Sequence, residues 1–244
     1  MPWHRYFVWL FEKELRETCG YTGSQPYWDW SDPAEAKFNE SSVFSQTALS
    51  MGGNGSPTTH GLLNGTVPGV PSPQIVTRPP GTGGGCVTDG PFANTTLSMG
   101  PIFPLPVGEE EPSDYFAYRP HCLKRDFLQS IPDQFFAADK IENLLASTTL
   151  AQFRERADAS VHFAGHSGVG GDMSDIFSSS QDPVFYLHHA QLDRLWTLWQ
   201  LADPQSRTYQ VSDTITYADS KFPIRIGSPR IEIFLTYTAH RSPI

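Results

Sequence analysis

The chain is most tightly constrained by Val161 to Gln200, VHFAGHSGVGGDMSDIFSSSQDPVFYLHHAQLDRLWTLWQ, which holds four of its 8 histidines. His162 and His166 stand four apart, so on a helix both imidazoles leave one face, a turn apart. A glycine-rich turn follows at Gly168, Gly170 and Gly171. Asp182-Pro183 then reads as a helix start, with Asp182 as N-cap and Pro183 at the first helical position. From there Phe185, His189, Leu192, Trp196 and Trp199 keep a helical period until Asp203-Pro204 stops it. His189 therefore sits early in a second amphipathic helix, able to face the first pair. Two antiparallel helices that supply an i,i+4 pair and a third imidazole make a three-nitrogen metal site with an open position.

Three neutral imidazoles suit copper, zinc or iron about equally by ligand softness. A zinc hydrolase of the His-Glu-x-x-His type needs a glutamate as general base, and the residue after His162 is Phe163. A chance pair of histidines on a helix surface is the plain alternative for HxxxH alone. The third histidine, the capped helix and an acid at Asp193 weigh against it.

HFAGH, GGDM and DPVFYLHHAQLDRLW resemble the copper B half of the tyrosinase and polyphenol oxidase family. Asp182, Pro183, Phe185, His189 and Asp193 match that family's spaced pattern from the aspartate-proline start through the third ligand. The resemblance implies a mainly α fold: a four-helix-bundle type-3 copper core with long irregular loops and a few short strands. It also implies two coppers, each held by three histidines, with His162, His166 and His189 as the copper B set.

The first residues, PWHRYFVWLFEKELRETCGY, read as a helix with Pro2 near its start and Gly20 as a C-terminal cap. His4, Phe7, Val8, Phe11 and Leu15 share one face. Read from the residues alone, His4 is an N-terminal surface group. PWHRYFVWLFEKEL and the adjoining YTGSQPYWDW are similar to the family's copper A helix and the segment after it, which makes His4 the third copper A ligand. The family's other two copper A histidines precede that helix. His60, His121 and His240 do not match them. The expectation is thus one complete mononuclear site and a third of a second. Met1 then reads as an internal methionine or the edge of a fragment. Residues 1–15 lack the pattern of a secretory signal.

A chain of 244 residues accommodates one well-buried domain. Its organisation reads as a copper-binding domain over 1–210, N-terminally incomplete and carrying a loop-rich insertion at 39–120, then a divergent tail at 211–244 with one β-like run, Ile231–Tyr237. A net charge of -9 argues against nucleic acid and anionic membranes as partners. No apolar run reaches the ~18 residues of a membrane helix. A short helix is expected over Glu35–Phe38, and two more over Ala137–Leu145 and Thr149–Asp158. Gly85 to Phe92 resembles a segment of fungal short tyrosinases, so the loops are expected to be ordered and packed on the bundle, with a disordered linker as the alternative. Sequons at Asn39, Asn54, Asn64 and Asn94 point to a secreted, glycosylated protein. A Cys86–Cys122 bridge is expected, leaving Cys19 over; three free thiols are the alternative.

The resemblance implies oxidation of phenols or o-diphenols to o-quinones with O2. Asp193 is a candidate to hydrogen-bond a ligand imidazole, or else it pairs with Arg194 or Arg5. Phe185 is expected to wall the pocket, and His188 to be a hydrogen-bonded structural histidine. Family members that hydroxylate monophenols well often carry Asn where Phe163 stands, so diphenols are the favoured substrates. Ser167 leaves the copper B face open, and Phe177 is a candidate gate over copper A. Two other functions compete: a non-catalytic remnant binding one copper or none, and a haemocyanin-like oxygen-binding module.

Overall fold

The computed structural model describes residues 1–66, 75–102, 104–110 and 112–212. His240, the run Ile231–Tyr237 and nearly all of the 211–244 tail lie outside the described residues. Three helices carry the candidate ligands: α1 (Pro2–Cys19), α5 (Val161–Val169) and α6 (Val184–Leu201). Between α1 and α5 come α2 (Ser130–Phe135), α3 (Ala138–Leu145) and α4 (Leu150–Asp158), and the short α7 (Pro204–Arg207) comes after α6. Helices α1, α3 and α5 pack on α6, while α5 also packs on α2 and α4. The fold is mainly helical with long loops and few short strands, as the resemblance implied.

The helix boundaries follow local chemistry. Gly20, at φ 67, lets the chain leave α1, and Tyr21 N–H returns to the Leu15 carbonyl at 3.0 Å. Thr149 caps α4 by accepting the Gln152 N–H. At α6 the first helical residue is Val184 rather than Pro183, yet Asp182 still caps it, its Oδ1 accepting the Val184 N–H at 3.0 Å. The expected helix at Glu35–Phe38 does not form. Trp28 Nε1–H takes the Glu35 carbonyl, and the Gln129 amide takes the Ala36 carbonyl and the Phe38 N–H. Tertiary partners have used the groups a helix would need.

The core is aromatic. Trp30 stacks on Phe136 at 4.7 Å, Phe38 on Phe127 at 4.3 Å, and Trp28 and Trp199 are fully buried near them. These residues wrap the segment after α1 around α6, where Trp28 N–H reaches the Leu187 carbonyl at 3.1 Å.

The loop-rich region is ordered where described, in three antiparallel ribbons. β1 (Gly55–Pro57) pairs with β4 (Gly84–Val87), β2 (Leu63–Thr66) with β3 (Ile75–Arg78), and β5 (Thr96–Leu97) with β6 (His121–Cys122). Cys86 and Cys122 form the expected disulfide, joining β4 to β6, while Cys19 is exposed and free. The stretch from His121 to Phe127 ties the ribbons to the helices. Arg125 forks onto both carboxylate oxygens of Asp182 at 2.8 Å each, and both side chains are wholly buried. The same guanidinium donates to the carbonyls of Met51, Gly52 and Gly53.

This region also finishes α5. The last four carbonyls of a helix lack intrahelical donors. Here His166 O takes Gly170 N–H, Ser167 O takes the Arg78 guanidinium, Gly168 O takes Leu128 N–H and Val169 O takes Asp126 N–H, all between 2.8 and 3.0 Å. Gly170 sits at φ 69, and a Cβ there would lie 2.4 Å from the Asp126 carbonyl, so the turn requires glycine.

Candidate metal centre

α5 and α6 bring His162, His166 and His189 together, with one nitrogen of each lying within 4.8 Å of the others. Among the described residues this is the one group of three such side chains. His166 Nε2 and His189 Nε2 are 3.1 Å apart. The second nitrogens are used as anchors. His162 Nδ1 donates to Asp158 Oδ1 at 2.9 Å, and His166 Nδ1 donates to the Met173 carbonyl at 2.8 Å. A neutral imidazole that donates through Nδ1 has a bare lone pair at Nε2. In both rings that lone pair is the atom left for the centre.

His4 approaches from α1 and stacks on His189, with centroids 4.3 Å apart and planes 13° from parallel; His162 is 6.2 Å away. Phe185 lies 4.1 Å from His189, 5.9 Å from His166 and 6.1 Å from His4, so its ring is an apolar wall shared by three imidazoles. Burial, followed by repulsion from His162, lowers the pKa of His4 and of His166 to about 3. Burial likewise holds His188 and His189 well below the usual value. These rings are kept neutral, the state in which imidazole is a ligand.

His188 faces away from the centre. Trp30 Nε1–H donates to its Nδ1 at 3.2 Å, and its Nε2 donates to the His162 carbonyl at 3.1 Å. Both nitrogens are spent, so it is the hydrogen-bonded histidine expected. Asp193 is placed on Arg5, whose Nε lies 2.5 Å from Oδ1. Arg5 also reaches Gln200 and Thr197 and stacks 3.8 Å over the Trp196 ring, so this ion pair clamps α1 to α6 beside His4. Phe163 packs edge-on against Phe135, at 5.7 Å. Ser167 meets Arg78 through its carbonyl. Phe177 is half exposed, its ring 4.8 Å from that of Tyr115. His60 and His121 lie apart from the trio, paired with Asp126 and Asp172.

The trio fits a soft-to-borderline cation. Two lone pairs are directed inward because fixed acceptors hold the N–H on the far side of each ring, and a 3.1 Å approach of two ring nitrogens is favourable only with a proton or a cation between them.

The profile of the common central domain of tyrosinase matches residues 1–202. The chain belongs to the tyrosinase family. It is 40% identical over 226 residues to the oxidase hkm6 of Aspergillus hancockii, covering 88% of this chain and 77% of that protein. It is 37% identical over 232 residues to Tyrosinase P of Aspergillus terreus, covering 90% and 64%. A mutant polyphenol oxidase from Thermothelomyces thermophila has a similar solved structure, with TM-score 0.69 and 37% identity over 82% of this chain and 53% of that one. The chain thus spans between about half and three quarters of these relatives.

Within this tyrosinase-family centre, sequence reasoning missed Asp158 and the Met173 carbonyl. Burial alone would raise the Asp158 pKa; the hydrogen bond from His162 and neighbouring positive charge outweigh it and lower it. The available signal was an acid four residues before the first histidine, obscured by the break between α4 and α5. Gly165 was missed as well. A Cβ there would lie 2.1 Å from the His188 ring, so α5 needs glycine to pass that close.

Proposed function

We propose that His162, His166 and His189 hold one copper ion, that His4 belongs to an adjacent copper position, and that the protein acts in copper-dependent oxidation of phenols to quinones with O2. The convergence of the three inward-facing imidazole nitrogens carries this reading. When bound, copper supplies the electron transfer and O2 chemistry that no side chain offers. The chain's residues do the rest. Asp158 and the Met173 carbonyl fix which nitrogens face inward, and burial keeps His166 and His189 unprotonated. Phe185 supplies an apolar wall against which an aromatic substrate ring can lie.

We favour o-diphenols over monophenols. A monophenol must lose its proton near the metal, and Phe163, at the position after His162, has no acceptor to receive it or to orient a water. The test is copper per chain by elemental analysis, with catechol and tyrosine turnover followed alongside. One tightly held copper on these 244 residues is expected, and catechol oxidation ahead of tyrosine wherever turnover is seen. A chain that binds no copper, or that hydroxylates tyrosine as fast as it oxidises catechol, would overturn the corresponding part. One copper with no turnover would favour the non-catalytic reading.

No helix among the described residues is long and apolar enough to cross a membrane. For secretion and glycosylation, the side chains of Asn39 and Asn94 are exposed on turns and suit a glycan. Asn54 does not. Its Nδ2 donates to Thr82, and its Oδ1 accepts from Gly55 and Phe127 N–H. Glycosidase digestion and peptide mapping after secretory expression would find glycans at Asn39 and Asn94 and a bare Asn54.

A further inference from the structure

The three imidazoles of the trio are steered in three different ways. His166 is held through Nδ1 by a neutral backbone carbonyl, that of Met173. His189 is packed by the rings of His4, at 4.3 Å, and Phe185, at 4.1 Å. His162 is the one whose far nitrogen meets a carboxylate, Asp158, at 2.9 Å.

Asp158 is the last residue of α4 and His162 the second of α5, with Ala159 and Ser160 turning the chain between them. The contact therefore joins two helices and is not the surface i,i+4 pair of a single one. Its partners are partly shielded, with 27% of the His162 side chain and 33% of the Asp158 side chain exposed.

A carboxylate accepts and cannot donate here, so Nδ1 must carry the hydrogen and Nε2 the lone pair. A negative charge behind the ring also stabilises the positive charge that builds on imidazole when its lone pair is donated to a metal. The carbonyl behind His166 does this more weakly, and ring packing around His189 less still.

We propose that Asp158 is a positioning residue of the metal centre: its carboxylate fixes the tautomer of His162 and makes His162 the strongest donor of the trio. The proposal rests on the copper-binding reading above.

The experiment is a Cu(II) titration of the whole 244-residue chain against a competing chelator, for wild type, Asp158→Asn and Asp158→Ala. Cu(II) electron paramagnetic resonance spectra are recorded for each, and unfolding midpoints are measured on the metal-free proteins. Asn keeps an acceptor oxygen without the charge and nearly the same shape, whereas Ala removes both. Copper affinity is expected to fall about 10–100-fold in Asp158→Ala and by a smaller factor in Asp158→Asn. The hyperfine pattern should shift in both, beyond anything the unfolding midpoints explain. Asp158→Asn keeps the test decisive if Asp158→Ala does not fold. Wild-type affinity and spectrum in either folded variant would overturn the proposal. A wild-type chain that takes up no copper would overturn the copper reading itself.

Discussion

Gly165 shows how tightly single residues set this centre. It lies between His162 and His166 on α5, against the fully buried ring of His188. That ring cannot step aside, because Trp30 and the His162 carbonyl hold its two nitrogens. Gly165→Ala should therefore lower stability by about 1–3 kcal/mol through overpacking, read as the urea unfolding midpoint. Copper uptake should weaken with it, since His188 holds the backbone of His162. An unchanged midpoint would mean the ring gives way. The grouping of His162, His166 and His189 was legible, because helical period decides which imidazoles share a face. Their supports were not. Asp158 works across a helix break, where a spacing of four carries no face information. For Asp193 the sequence favoured a hydrogen bond to a ligand imidazole, with Arg194 or Arg5 as the alternative. The crossing of α1 over α6 decides it: Arg5 takes the carboxylate, and Arg194 lies 5.2 Å over the Tyr27 ring.

The elements were legible to the extent that their ends are written locally. α1, α3, α4 and α6 begin and end within two residues of expectation, because Gly20, Thr149, Asp182 and Asp203 act on their immediate neighbours. The three ribbons were not legible. Their strands have 2 to 4 residues, too short for alternation to register, and their pairing is fixed by long-range ties. The start of α6 depends on such a tie. Asp182 caps Val184 and also receives the Arg125 fork with no exposure to water. Removing the guanidinium leaves a buried carboxylate without its counter-charge, so Arg125→Met should cost about 3–5 kcal/mol in chemical unfolding. Arg125 also fills the carbonyls of Met51, Gly52 and Gly53, so early loss of the β1–β4 ribbon in hydrogen exchange should accompany that cost. A loss under about 1 kcal/mol would mean that water replaces the guanidinium there.

At the scale of the whole molecule, the loop region is fastened to the helical core by two histidines that lie outside the trio of His162, His166 and His189. His60 Nδ1 faces the Thr58 carbonyl at 2.9 Å and its Nε2 faces Asp126 at 2.8 Å; His121 Nδ1 faces the Arg119 carbonyl at 2.9 Å and its Nε2 faces Asp172 at 2.8 Å. In each ring both nitrogens meet acceptors, an arrangement satisfied in full only by the imidazolium. The pKa of His121 is raised, chiefly by its hydrogen bond to Asp172, with burial and, less, Lys124 opposing. For His60 burial pulls downward first, but Asp126 and the Thr58 carbonyl outweigh it and the nearby Arg78, leaving its pKa raised too. A group whose pKa is higher folded than unfolded contributes stability fully below its unfolded value, about 6.5 for histidine, and loses that contribution as pH climbs through the folded value. The buried rings of His166 and His189 have lowered pKa values and so favour folding in the opposite direction, at higher pH. A plain pH profile would mix the two. Comparing wild type with a His60→Gln, His121→Gln double variant removes the shared part. The stability gap between them should be full below about pH 6.5 and shrink as the pH is raised above it toward the alkaline range. A gap of constant size across that range would mean the two rings act through packing alone, and that their charge does not hold the loops to the core.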